Sequence, residues 1–258
     1  MRTLGHALVQ FLIYLGQLSR LTSEAFLSLS PFRIRWRLVI QQIAQVGFGS
    51  QLIVFVTGAF VGAVFTAQMY YQFVKMGVEA SVGAIVSVAM CRELAPAMVG
   101  LMISGRVGAA IAAELGTMKV SEQIDALRVM GVSPVNYLVA PRLLAIMISM
   151  PLLIAEAVVC GIIASNVVAV WLFHIPSAWF WGHLNNWTDL DDLAFGMIKG
   201  FIFGIVIVIV ASHKGLSTRN GAVGVGRSTT QSVVIASLFI LVFNFFLTLL
   251  LTVLFPFD

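Results

Sequence analysis

Val82-Gly-Ala-Ile-Val-Ser-Val-Ala-Met-Cys-Arg92-Glu93-Leu-Ala-Pro96-Ala-Met-Val-Gly-Leu-Met-Ile-Ser104 places two opposite charges and a proline inside an otherwise apolar run. The chain around it has 258 residues, 60% of them hydrophobic and only 10% charged, with a mean hydropathy of +1.00. That balance belongs to a polypeptide whose solvent is lipid. A charge held at bilayer depth costs roughly 2.5–3.5 kcal/mol by insertion scales, so it faces a cavity, a partner or a transport path. Adjacent residues on a helix point about 100° apart, so Arg92 and Glu93 cannot neutralise each other and each needs its own partner. Pro96 cannot donate to the carbonyl of Arg92, which leaves a polar carbonyl beside the charges.

The apolar fraction fits one integral membrane domain without a separate soluble catalytic domain. Cys91 and Cys160 both fall in apolar runs, which argues against a disulfide framework or a cysteine metal site. His6, His174, His183 and His213 lack ligand spacing, so neither a metal nor another cofactor is expected. No cleaved-signal pattern is expected at the amino terminus. Leu4, Leu8, Phe11, Leu12, Leu15, Leu18 and Leu21 recur at helical intervals among polar residues. They predict an amphipathic helix lying in the membrane interface, within an interfacial amino-terminal segment over residues 1–45. Ser30-Pro31 should end it, and Arg33, Arg35 and Arg37 suit anionic head groups.

Five apolar spans are expected at about 46–70, 82–104, 143–173, 193–212 and 232–255, each near the roughly 20 residues a crossing needs. The third is overlong and holds Pro151, which favours a kink or tilt. Charge sets the orientation. Twelve of the fifteen basic residues fall in the amino-terminal segment, the 106–142 insert and the loop between spans four and five. The opposite loops hold Lys75 with Glu79, Asp189, Asp191 and Asp192. The positive-inside rule therefore puts the amino terminus in the cytoplasm and the carboxyl terminus outside it.

Gly221-Ala-Val-Gly-Val-Gly226-Arg227-Ser228 has phosphate-loop spacing except for arginine in the lysine position. It lacks the preceding strand that a phosphate loop requires, and reads as a flexible cytoplasmic turn. The Gly58/Gly62 and Gly196/Gly200/Gly204 spacings put small residues one turn apart, which lets helix backbones approach closely within one chain or between two. Lys199 in the fourth span is the candidate partner for Glu93, since both stand at similar depth in spans that run the same way. Glu156 is a lone acid in the third span, weak support for a proton relay.

The insert over 106–142 is too charged to cross. Ile124, Leu127 and Met130 form a narrow apolar stripe flanked by Glu122, Gln123, Asp125 and Arg128. Gly131 suits the C-cap and Ser133-Pro134 the start of the next helix. Such a helix either docks in a groove of another protein or packs on the underside of its own chain.

The segment Glu114-Leu-Gly-Thr-Met-Lys-Val-Ser-Glu-Gln-Ile-Asp-Ala-Leu-Arg-Val-Met-Gly-Val-Ser-Pro134, with Tyr137-Leu-Val-Ala-Pro-Arg142 after it, resembles the signature of the MlaE/YrbE family. These are the permease subunits of MCE-type lipid ABC transporters. Arg92-Glu93-Leu94-Ala95-Pro96 and Gly105-Arg106-Val107-Gly108 are similar to family motifs too, and the likeness runs from about residue 46 to the carboxyl end. It implies an all-α integral membrane protein of the bacterial inner membrane, with an interfacial amino-terminal helix, five spans in a permease domain over 46–258, and assembly as a homodimer. Implied partners are a cytoplasmic ATPase, a periplasmic MCE-domain protein, a small cytoplasmic STAS-type subunit and the phospholipid substrate, with no nucleic acid. Glu114, Glu122, Asp125, Leu127, Arg128 and Met130 would couple to the ATPase through a helix over 122–130. Arg92, Glu93, Pro96, Lys199 and Asn244 would line the lipid cavity or its gate, near the dimer axis between spans one, two and five. Asn244 departs from the aspartate expected there.

The implied activity is phospholipid movement that maintains outer-membrane asymmetry, by a subunit that is not itself an enzyme. The competing class is an ion- or proton-coupled secondary carrier using Glu93, Glu156 and Lys199, which should show an inverted repeat that this sequence lacks. A membrane enzyme would need a nucleophile–base or metal cluster at one depth, and the dispersed histidines supply none.

Overall fold

The computed structural model describes residues 2–29 and 35–254; for residues 2–8, 11 and 80 it describes the backbone alone. Ser30, Pro31 and Arg33, at the expected end of the first helix, lie outside the described residues, as does Phe255. The side chains of Leu4, His6, Leu8 and Phe11 do as well.

Among the described residues the chain is helical and forms no strand. Helix α1 spans Arg2–Leu27. The five helices long and apolar enough to cross a membrane are α2 (Trp36–Val74), α3 (Val82–Val120), α5 (Val135–Trp171), α7 (Leu190–Leu216) and α8 (Gly221–Leu254). Two shorter ones complete the set, α4 (Gln123–Val129) and α6 (Ser177–Trp187). The protein is thus an all-α integral membrane protein.

Several helices run further than hydropathy alone predicts. Residues 106–120 continue α3 without interruption and 135–142 open α5, so α4 is the one free-standing helix of the insert. Its end follows from a glycine. Gly131 adopts φ +74°, its N–H donates to the Arg128 carbonyl at 3.0 Å, and the Val132 N–H donates to Leu127 at 2.9 Å. Both orphan carbonyls are thereby satisfied. The expected open turn at 221–228 is instead helical. Asn220 and Gly221 take positive φ to reverse the chain, and the glycines then form the first turns of α8. Helix α6 was not expected at all.

The described residues gather into two compact units. One combines α1 with Ser104–Ile146 and Ile205–Ala236; the other combines Ala44–Ile103 and Met147–Gly204 with the last part of α8. In the second unit, α2 and α5 share a seam of small residues. A Cβ on Gly58 would collide with the backbone of Ala157, and one on Gly62 with that of Gly161. One turn further along, Thr66 donates to Ser165 at 2.5 Å. Small residues four apart on both helices give the close approach that lipid cannot drive hydrophobically. Helix α6 is fixed to the same unit by Phe180, which is buried and seated against Gly83.

Candidate functional site

Four charges meet inside the second unit, and the way the chain places them begins with Pro96. The helix around the charged pair widens into a π-type turn over Met90–Leu94, a form found where the regular ladder is interrupted. Gly196 of α7 lies against this turn, so close that a Cβ there would strike the Cys91 carbonyl oxygen. One turn later on α7, Lys199 is fully buried. Its Nζ donates to the Arg92 carbonyl at 2.9 Å, the acceptor that Pro96 cannot serve. It also donates to Glu93 Oε1 at 2.7 Å and to Thr248 Oγ1 of α8 at 2.9 Å. An ammonium has three N–H bonds, and all three are used.

Glu93 collects the complementary contacts. Thr248 Oγ1 donates to its Oε1 at 2.8 Å, and Asn244 Nδ2 donates to its Oε2 at 3.0 Å. The Glu93 side chain remains 37% exposed, whereas Lys199 is 0% exposed. Arg92 turns the other way, as adjacency on a helix requires, and forms a buried ion pair through Nε with Asp192. Phe195 lies between the two cations, with its ring centroid 5.0 Å from the Arg92 guanidinium and 4.9 Å from Lys199 Nζ.

The structure thus brings Arg92, Glu93, Pro96, Lys199 and Asn244 together. Gly196 and Gly200 set the approach of α7, the latter against Ile154 and the Met150 carbonyl of α5. Gly204 is buried further along the same helix. Glu156 is not among the groups that contact this cluster.

Two members were missed from sequence. Charge distribution along the sequence groups Asp192 with the acids of an outer loop. It is in fact the third residue of α7, where its Oδ2 accepts the Asp189 N–H at 3.1 Å in half of a capping box. Its other oxygen is left for Arg92. The Asp189-x-x-Asp192 spacing carried that signal. Thr248 lies one turn from Asn244 and bonds its carbonyl at 2.8 Å, a spacing that carried no charge to draw notice.

The predicted coupling residues occupy the first unit. Lys119 Nζ reaches Asp125 at 2.8 Å and Arg128 Nη1 reaches it at 3.2 Å. The Asp125 carboxyl is held below the usual aspartate range, mainly by the Lys119 hydrogen bond, with the Lys119 and Arg128 charges assisting. Glu114 pairs with the buried Arg142 at 2.7 Å. The expected stripe on α4 divides: Ile124 is buried and Leu127 half-buried, while Val129 and Met130 stand exposed. Glu122 starts α4 in the left-handed region at φ +60°. Among the described residues, no group of three or more His, Cys, Asp or Glu could hold a metal.

Five helices long and apolar enough to cross a membrane, three of which (α3, α7 and α8) supply a self-paired charge cluster, define a multi-pass membrane protein. Residues 39–250 match the family model described as Permease MlaE. A probable ABC transporter permease protein of Synechocystis is 39% identical over 90% of this chain and 88% of its own. A probable ABC transporter permease protein of Rickettsia conorii is 36% identical over 95% of each. The chloroplastic protein TRIGALACTOSYLDIACYLGLYCEROL 1 of Arabidopsis thaliana is 35% identical over 88% of this chain and 65% of its own length. The chain belongs to the MlaE permease family.

Proposed function

We propose that this chain is the non-hydrolysing membrane subunit of an ABC-type lipid transporter. It moves phospholipid between a bacterial inner membrane and a periplasmic MCE-domain protein, and so maintains outer-membrane lipid asymmetry. The observation that carries this reading is the half-exposed Glu93, held at mid-span by Lys199, Asn244 and Thr248 where Pro96 interrupts the helix. Charge retained at that depth serves a path. Family membership supports the rest: relatives bear the name of ABC transporter permeases, and one bears the name of a galactolipid.

The power stroke then comes from a cytoplasmic ATPase that grips α4, with a STAS-type subunit on the same side. The exposed Val129 and Met130 support such docking, with Glu122 and Asp125 at the start of the helix. Helices α2 and α8 suit a homodimer contact around the lipid cavity. Their apolar windows are only 22% and 17% buried by their own chain, against 50–56% for the other three.

Glu122→Lys or Asp125→Lys, reconstituted with the ATPase and MCE partners, should insert normally and keep ATP hydrolysis. Lipid transport should fall by about tenfold, the effect of losing on the order of 1.4 kcal/mol of coupling. Unchanged transport would remove the coupling role. The chain alone in liposomes should be inert, and sustained lipid movement driven by a proton gradient would favour the secondary-carrier reading instead.

A further inference from the structure

The proposed lipid path has four charges, and what matters for a passing headgroup is which of them it can touch. Arg92 is buried against Asp192 and Phe195. Lys199 is fully covered, and each of its three N–H bonds ends on an acceptor of the chain itself. Neither cation is therefore offered to a lipid phosphate. Glu93 is the exposed member, and a carboxylate only accepts hydrogen bonds.

Asn244 adds to this. Its amide nitrogen must face the Glu93 carboxylate, because two acceptors cannot bond. Its Oδ1 is thereby turned away into the protein, buried and, among the described residues, without a hydrogen-bond partner, so Glu93 alone faces the path. With Asn244 uncharged, the two cations balance the two anions, and the cluster holds no surplus positive charge to draw an anion.

We infer that the site accepts lipids amine-first, favouring headgroups that carry an ammonium over those that are purely anionic. This rests on the lipid-permease reading above. A primary ammonium can donate to the remaining lone pair of Glu93 Oε2, since Oε1 already serves Lys199 and Thr248. A quaternary ammonium keeps the charge but loses the donors. A glycerol headgroup on a phosphate brings a net negative charge toward the one exposed carboxylate, which electrostatic complementarity disfavours.

The test uses the complex purified in mild detergent from its native membrane. It is equilibrated with vesicles holding equal phosphatidylethanolamine, phosphatidylcholine and phosphatidylglycerol, and retained lipid is quantified by mass spectrometry. Phosphatidylethanolamine should be retained over phosphatidylglycerol by roughly tenfold or more, the scale expected of one charge-assisted hydrogen bond, with phosphatidylcholine between them. In Glu93→Gln the gap should close, and in Asn244→Asp, which adds an acceptor, it should persist or widen. Should Glu93→Gln fail to fold, the wild-type ranking and Asn244→Asp still decide. Lipid retained without regard to headgroup, or phosphatidylglycerol preferred, would overturn this inference and leave the conduit standing. Retention of no lipid at all would overturn both.

Discussion

Two charge clusters in this molecule use the same chemistry under opposite conditions. Arg92, Asp192, Lys199 and Glu93 pair where three of the four side chains are below one-tenth exposed. Lys119, Asp125 and Arg128 pair with exposures of 27–62%. Distances hardly separate them, since Lys199–Glu93 and Lys119–Asp125 measure 2.7 and 2.8 Å. Solvent does. Breaking a buried pair strands a charge that water cannot reach, whereas an exposed pair exchanges one set of partners for another. The first cluster therefore holds helices in place, and the second can be re-formed around a partner at little cost.

The largest effect expected from this contrast is at Asp192. Asp192→Ala should destabilise the protein by about 3–5 kcal/mol, because Arg92 is left buried without its anion. Thermal unfolding in detergent, followed by tryptophan fluorescence, would register it, and an unchanged Tm would mean that water reaches Arg92. Next comes Lys199→Met, which should cost about 2–3 kcal/mol, below the fully buried case because the Glu93 left behind keeps part of its solvent contact. The double variant Lys199→Met/Glu93→Gln should recover most of that, with about 1 kcal/mol remaining for the Arg92 carbonyl that has lost its donor. Additive losses would sink the claim that the two residues act as a pair.

The smallest effect belongs to Asp125→Asn, whose Tm should match the wild type within error. A depressed carboxyl contributes stability in full above its ordinary pKa near 3.9, and that contribution fades as pH falls through the lower folded value. Between about pH 5 and 8 the exposed cluster should thus be insensitive to pH, while added salt weakens it. A Tm step within that window, absent in Asp125→Asn, would show that the exposed cluster is more deeply committed than its solvent contact implies.

The spans and the Glu93–Lys199 pair were legible because both depend on quantities that a sequence carries directly, namely apolar length and depth along parallel helices. Pro96 also announced its orphaned carbonyl. Asp192 was not legible as a core residue. It stands among three neighbouring acids at a helix start, and its burial depends on contacts distant in sequence. Helix α6 escaped because Trp179, Trp181 and Trp187 are spaced around its surface and exposed, so no stripe marked it. The α4 stripe was legible as a pattern but not as a surface. Ile124 faces its own chain and Met130 does not, a division that only tertiary packing decides.

Lys199 deserves a last consequence. It serves a carbonyl and a carboxylate on α3 and a hydroxyl on α8 from a seat on α7, so one tetrahedral head rivets three helices. A flat guanidinium carries the same charge, but its donors fan out in a single plane. Arginine here would therefore be a foreign part with a familiar charge: at least one of the three helices would lose its fastening.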